Sequence, residues 1–274
     1  MRTRNGKHGV EHFFARSPVF THSEFLAAHA VGTERSVHTA NNLLAYHLEA
    51  GHIVRVRRGL YATVPRGVDP VTATVDPYLV ATKLAADAVV AYHAALQFHG
   101  KAYSVSNRFA YLTRRRARPL RFRGVEFVPV PVPVALRGVA NAESGIVEHL
   151  HAGGTVRVTT LERTLVDVLD APRHGGGWEE VWRSLESVEF FDLDAVVKYA
   201  CMLGSALTVA RVGFFLEQHR DTLMVEQRHL ETLAAHAPRQ PRYLDRRREH
   251  GALDSRWNLI VPHRIRSRAW ADTP

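Results

Sequence analysis

Cysteine is almost missing from this chain, and its scarcity is informative. Cys201 is the single cysteine, so an internal disulfide and a cysteine-based zinc cluster are both excluded. It lies in the apolar run Tyr199-Ala200-Cys201-Met202-Leu203 and reads as a buried, inert thiol. No Gly-x-x-x-x-Gly-Lys loop and no Gly-x-Gly-x-x-Gly loop occurs. Nucleotide hydrolysis and dinucleotide binding therefore lack their phosphate cradle. His174-Gly175-Gly176-Gly177 resembles a lipase oxyanion loop, but no Gly-x-Ser-x-Gly elbow accompanies it, which leaves it a connector. The N-terminus, MRTRNGKHGVEHFF, carries bases without the sustained apolar stretch of a secretory signal. Long hydrophobic runs are also missing. The most apolar stretch, Tyr199 to Leu216, is interrupted by Gly204-Ser205 and Arg211 and suits two core helices better than a membrane span. A cytoplasmic protein with no membrane partner is expected.

Lysine is scarce too, occurring only at Lys7, Lys83, Lys101 and Lys198, so the net charge of +9 is carried by arginine. A basic chain favours an anionic partner, and arginine is the better fork for phosphate and guanine. Seventeen histidines invite a metal. However, His8/His12, His93/His99 and His149/His151 have no carboxylate at zincin spacing, so neither metal nor cofactor is expected. Glu162, Arg163 and Asp167 form the only charged cluster on an apolar helix. Arg163 and Asp167 stand at i,i+4, the spacing of a structural ion pair. No catalytic residue is assigned and an enzyme is not expected.

What is present is concentrated between Ser36 and Val64: SVHTANNLLAYHLEAGHIVRVRRGLYATV. At about 100° per residue, Val37, Leu44 and Leu48 fall on one helix face with Ala40 close by, so that face should meet a core. Arg35, His38, Thr39, Asn42 and Tyr46 fall on the other, all able to hydrogen-bond base edges or phosphates. Ser36 is expected to cap this helix and Gly51 to end it. Val54 and Val56 then alternate with Arg55 and Arg57, and Arg58-Gly59 turns the chain back through Leu60-Tyr61-Ala62. Upstream, Thr21-His22-Ser23-Glu24 is a capping box opening a helix over 23–30. Val10 to Arg16 supplies an earlier helix that Pro18 stops. Helix, capped helix, turn, polar-faced helix and basic hairpin together read as a winged helix-turn-helix. Its DNA-binding residues are Arg35, Ser36, His38, Thr39, Asn42 and Tyr46, with Arg55, Arg57 and Arg58 from the wing.

The expected fold is α+β. A winged helix-turn-helix occupies residues 1–66 and a linker 67–76. A larger mixed α/β domain, rich in helices at its C-terminal end, follows over 77–274. Asp76-Pro77 starts a helix that should run to about Asp87. Arg123-Gly124 is a hairpin turn, and the prolines at 129, 131 and 133 belong to an edge or an exit. Thr159-Thr160-Leu161-Glu162 reads as a second capping box. Lys101 to Arg123 holds eight basic residues and no acidic one. At its centre Arg114, Arg115, Arg116 and Arg118 are either a solvated hairpin or a second anion- or partner-binding surface.

The chain resembles the AbiEi antitoxins of type IV (abortive infection) toxin–antitoxin systems. The resemblance is carried by Val54-Arg55-Val56-Arg57-Arg58-Gly59-Leu60-Tyr61, by Ala91-Tyr92-His93-Ala94-Ala95-Leu96 ending in His99-Gly100, and by Thr160-Leu161-Glu162-Arg163-Thr164-Leu165-Val166-Asp167. It continues in Gly213 to Glu217 and Arg256-Trp257-Asn258-Leu259. It implies a transcriptional repressor that binds double-stranded operator DNA, with inverted repeats, and controls its own operon. It also implies a C-terminal domain that antagonises a cognate nucleotidyltransferase toxin, the arginine hairpin being the expected contact. The alternatives are a stand-alone winged-helix transcription factor with a ligand-sensing C-terminal domain and a nucleic-acid-processing enzyme. The latter lacks an acidic constellation.

Overall fold

Aromatic residues in the first quarter of the sequence dictate its first core. The computed structural model describes residues 4–30, 34–138, 143–268 and 270, with side chains from residue 9 onward except those of 34 and 35. Helix α1 (Arg4–Arg16), strand β1 (Val19–Thr21), helices α2 (His22–His29) and α3 (Glu34–Glu49), and strands β2 (Ile53–Arg57) and β3 (Leu60–Thr63) form one unit. Phe20 and Phe25 are fully buried, and the Phe20 ring stacks on Phe25 at 5.8 Å and on Tyr61 at 5.7 Å. Ala40 and Leu44 of α3 close this cluster. Thr21 caps α2 as a capping box: Glu24 N donates to Thr21 Oγ1 (3.2 Å) and Thr21 N to Glu24 Oε2 (2.7 Å). Two expectations need correcting here. Helix α3 starts at Glu34, so Ser36 lies inside its first turn rather than capping it. Val37 is exposed at 38 % and stands outside the aromatic cluster that buries Ala40 and Leu44, so the core-facing stripe of α3 begins at Ala40.

The small sheet runs β1-β3-β2, all antiparallel. Its central strand is buried on both faces. Tyr61 points into the aromatic cluster, whereas Leu60 and Ala62 point the other way, into a second core with Val56, Leu79 and Val80. Alternation at period 2 thus serves two cores from one strand.

That second core is shared with the six-stranded sheet β6-β7-β5-β4-β9-β8. In chain order, α4 (Pro77–Lys83), β4 (Val89–Val90) and α5 (His93–Phe98) precede β5 (Arg108–Thr113), β6 (Leu120–Phe122) and β7 (Val125–Pro131). β8 (Ile146–His151) and β9 (Gly154–Thr159) complete the sheet. Along β5, Phe109 and Tyr111 face the second core and Ala110 and Leu112 face a third. The third core is roofed by α6 (Leu161–Asp170), α7 (Trp178–Glu186), α8 (Leu193–Met202), α9 (Ala206–Gln218) and α10 (Gln227–Ala234). Strands β10 (Arg242–Tyr243), β11 (Gly251–Asp254) and β12 (Leu259–Pro262), in the order β10-β12-β11, and helix α11 (His263–Arg266) follow. The architecture is mixed α/β, with three sheets among the described residues.

The hairpin between β6 and β7 turns at Arg123 (φ 49°) and Gly124 (φ 76°), both left-handed, as a two-residue turn that follows strand twist requires. Pro129 and Pro131 pair by register with Tyr111 and Thr113. The neighbouring amides of Glu126 and Val132 donate toward β5, to Asn107 O and Thr113 O. The odd-numbered positions therefore face away from β5, on the side where β6 has already ended at Leu120, and no ladder bond is lost to the prolines.

Three other expectations shift slightly. Helix α4 ends at Lys83, not near Asp87, and the Leu84 carbonyl accepts from Arg57 instead. Helix α6 is capped by Thr160, whose side chain accepts from Arg163 N, not by a box centred on Thr159. Thr159 Oγ1 is taken by Thr164 Oγ1 at 2.7 Å, and Glu162 accepts from Asp192 N. Cys201 is half-buried, 3.9 Å from His236 Nδ1, and burial pushes its thiol pKa up, consistent with an unreactive thiol.

Candidate nucleic-acid interface

Helix α3 has a buried stripe and an exposed one because its apolar residues recur at helical spacing. His38, Thr39, Asn41, Asn42 and Tyr46 are all exposed, Tyr46 at 54 %. Ser36 is half-buried at the start of this face, and Arg35 lies outside the described side chains. Asn42 Nδ2 sits 3.2 Å from His38 Nε2, one turn away, so the two polar side chains satisfy one another in water. His22, the first residue of α2, places Nε2 2.7 Å from Asn41 Oδ1 and fixes the start of α2 against α3. Asn41 is not singled out by the sequence pattern because it lies at the margin of the polar face; its partner is nineteen residues away. Glu49 is the acid exposed on this face among the described side chains, two turns beyond Asn42.

At the other end of α3, His47 Nδ1 and His52 Nδ1 are 3.0 Å apart, so one ring must be neutral and accept from the other. Burial holds His47 below the ordinary imidazole range, and the neighbouring His52 lowers it further. Gly51, with φ 71°, lets the chain leave the helix between them.

The hairpin that follows carries its arginines differently from a simple wet strand. A bulge between Arg55 and Arg57 leaves Val56 as the extra residue, buried, with Arg55 and Arg57 exposed on either side. Arg55 lies over the Tyr61 ring at 6.0 Å. Arg58 is exposed at the turn, where Gly59 takes φ 79°. Arg57 is anchored: one guanidinium nitrogen donates to Leu84 O at 2.6 Å. Lys83, next to Leu84, pairs with Glu24 of the capping box. Burial raises the Glu24 carboxyl, but the bonds and charge of Lys83 and the bonds from Thr21 outweigh it and hold the pKa below the usual value. Two cationic side chains thus tie the first unit to the end of α4 and the turn that follows it. Sequence spacing could not reveal either tie, since each joins elements far apart in the chain.

Arg114, Arg115, Arg116 and Arg118, expected on a hairpin, lie instead in the loop between β5 and β6, two strands that do not pair because β7 stands between them, and all four are exposed. Asp87 accepts from Thr113 Oγ1 and from Arg114 N, both at 2.7 Å, and Arg114 also reaches Leu136 O. At the far end of the sheet hairpin, Arg123 donates to Pro70 O and Arg121 pairs with Glu126.

Of the charged cluster on α6, Arg163 and Asp167 prove to be internal, whereas Glu162 is half-buried. Arg163 Nε donates to Asp167 Oδ2 at 3.2 Å, each residue 2 % exposed; Tyr199 donates to Asp167 Oδ1 at 2.8 Å, and Arg163 donates to Ser144 O. Burial raises the Asp167 carboxyl, against the pull of Arg163 and Tyr199. A second pair, buried His93 with half-buried Glu180 at 3.0 Å, joins residues 87 apart and is invisible to spacing. Glu180 also accepts from Ser104 N and Ser104 Oγ. Beside them, burial and then the charges of Arg173 and Arg108 push His174 down to about 4. Among the described residues no group of three or more histidine, cysteine or acidic side chains could hold a metal, and no helix is long and apolar enough to cross a membrane.

No protein-family model matches the chain, and no curated protein is detectably similar to it. Among solved structures, the RV2827C protein from Mycobacterium tuberculosis is similar in fold, with a TM-score of 0.56 over 95 % of this chain and 92 % of that one, at 16 % identity.

Proposed function

We propose that the first unit is a winged helix-turn-helix, with α2 and α3 as its helix pair and β2–β3 as its wing, and that the chain is a sequence-specific DNA-binding repressor. The order helix, strand, helix, helix, strand, strand, with the sheet running β1-β3-β2, is the order such a module takes. The observation that carries the proposal is the exposed hydrogen-bonding face of α3 immediately followed by a hairpin with exposed Arg55 and Arg58. In this assignment His38, Thr39, Asn42 and Tyr46, with Arg35 and Ser36 at the helix start, meet base edges and phosphates in the major groove. Arg55 and Arg58 lie along the backbone. Arg57 is a positioning residue, since it holds the wing against the turn after α4.

The antitoxin half of the proposal rests on the resemblance to AbiEi proteins. In it the second unit performs no covalent chemistry and antagonises a nucleotidyltransferase toxin. The buried, mutually satisfied state of Arg163, Asp167 and Tyr199 favours a supporting role for that cluster over a catalytic one. The test of DNA binding is a fluorescence-anisotropy titration of the full chain with two labelled duplexes. One comes from immediately upstream of its own coding sequence and the other has mixed sequence. Tighter binding to the upstream duplex is expected. Equal, weak binding to both would remove sequence-specific repression. Co-expression with the product of the neighbouring gene tests the antitoxin half: rescue of growth is expected, and unchanged toxicity would discard it.

A further inference from the structure

We propose that the loop carrying Arg114, Arg115, Arg116 and Arg118 is a second phosphate-contacting element that continues the duplex footprint of the β2–β3 hairpin; the inference rests on the DNA-binding assignment above. The turn over residues 84–87 is what joins the two. Its first carbonyl, of Leu84, accepts from the Arg57 guanidinium at 2.6 Å. Its last side chain, of Asp87, accepts from Thr113 Oγ1 and Arg114 N at 2.7 Å each. Three residues of chain span at most about 11 Å, so the hairpin and the loop take root on one short stretch of the second unit. Electrostatics agrees with the hydrogen bonds. Burial raises the Tyr111 hydroxyl, and the charges of both Arg57 and Asp87 reach it. Asp87 in turn feels Arg115.

The loop is held by its backbone and presents its side chains. Asp87 fixes the Arg114 amide, and Thr113 Oγ1 accepts from Arg115 N at 3.1 Å. Asp87, the acid at the root of the loop, has both oxygens occupied by these bonds. Glu126, further along the sheet, is taken by Arg108 and Arg121. Among the described residues none of the four loop arginines forms an ion pair, and Asp87, whose charge Arg115 feels, is one acid against four cations, so a net positive charge is left on the loop. A duplex supplies one negative charge per roughly 1.7 Å of axis, and each phosphate neutralised releases condensed counterions. A rigidly rooted row of arginines beside a basic hairpin matches that array. An acidic protein surface would offer no reason for the shared root with the wing.

The experiment uses the full chain and the two duplexes named above, titrated across salt. Neutralising the loop with Arg115→Gln, Arg116→Gln and Arg118→Gln together should weaken both duplexes alike and leave the preference between them unchanged. The slope of log affinity against log salt should become shallower by about 0.9 for each phosphate that the loop ceases to neutralise. Replacing the same three positions by lysine should restore most of the slope, which separates charge from any effect on folding. Asn42→Ala should do the opposite, eroding preference while keeping the slope. Wild-type slope and affinity in the neutralised chain, with Asn42→Ala still eroding preference, would overturn this inference and leave the DNA-binding assignment standing. So would loss of protection in cells with DNA binding intact, which would give the loop to a protein partner. Absence of duplex binding by the wild-type chain would overturn both.

Discussion

Asn42 and His38, proposed above to read bases, are paired with each other in the free chain. Their bond at 3.2 Å is exposed, where exchange with water makes it worth little, so either can turn to a base without stranding a buried partner. Asn42→Ala is expected to cost about 1–3 kcal/mol at one base pair and nothing at the others, measured by anisotropy on singly substituted duplexes. His174 carries a different prediction. Burial, then Arg173 and Arg108, place its folded pKa at about 4, below the ordinary 6.5. The unfolded chain therefore binds the proton more readily. The neutral ring's contribution to stability is complete above about pH 6.5 and is lost as the pH falls through about 4. Denaturant midpoints measured at neutral pH and near pH 4.5 should fall less in His174→Gln than in the parent chain. Equal falls would place the acid sensitivity elsewhere; His29, His47 and His99, each also lowered chiefly by burial, are the next to test.

Among elements, β3 and α9 each pack through one residue whose substitution can be tested, Leu60 and Gly213. Leu60 is 1 % exposed between the small sheet and α4, and Leu60→Ala should cost about 2–5 kcal/mol. Its loss of DNA binding should track its unfolded fraction in a thermal melt; a fully folded variant that no longer binds would make Leu60 a contact residue. On α9, a Cβ added at Gly213 would overlap the Trp257 ring, which is fully buried and donates from Nε1 to Glu217 Oε2 at 2.6 Å. Gly213→Ala should destabilise by about 1–3 kcal/mol through overpacking, read from the denaturant midpoint at unchanged m. Periodicity makes the helices and the β2–β3 hairpin legible, and the capping box at Thr21 is readable residue by residue because its chemistry is local; the expected hairpin around Arg114 to Arg118 is instead a crossover, because β7 inserts between β5 and β6. Helix ends are less so: α3 starts before Ser36 and α6 is capped one residue later than expected, since several hydroxyls compete for the same amides. Contacts such as Arg57–Leu84, His93–Glu180 and Trp257–Glu217 cannot be read, because each is decided by how distant elements pack. The motifs behind the family resemblance fall largely in this class. Gly213 to Glu217 and Arg256 to Leu259 meet at the Trp257 ring, while His99 reaches Thr159 O beside α6. Those motifs report packing more than chemistry.

For the whole molecule, the layers follow in order: helices α1–α3, the small sheet, the second core, the large sheet, the third core and the C-terminal helices. The boundary near residue 66 is a boundary in sequence more than in packing, because Val56, Leu60 and Ala62 bury their side chains against α4 and the large sheet. A fragment of residues 1–66 would expose that face to water. It is expected to be aggregated or to lack a cooperative melt, while the full chain melts as one transition; size-exclusion chromatography and calorimetry decide. The shared strand also sets a thermodynamic reciprocity. The β2–β3 hairpin is rooted on the turn over 84–87 through Arg57, so under the proposed DNA-binding function any ligand that favours one placement of that turn would change affinity for the duplex by some factor. Linkage would then require the duplex to change affinity for that ligand by the same factor, so that under this proposal a partner released by DNA must itself release DNA.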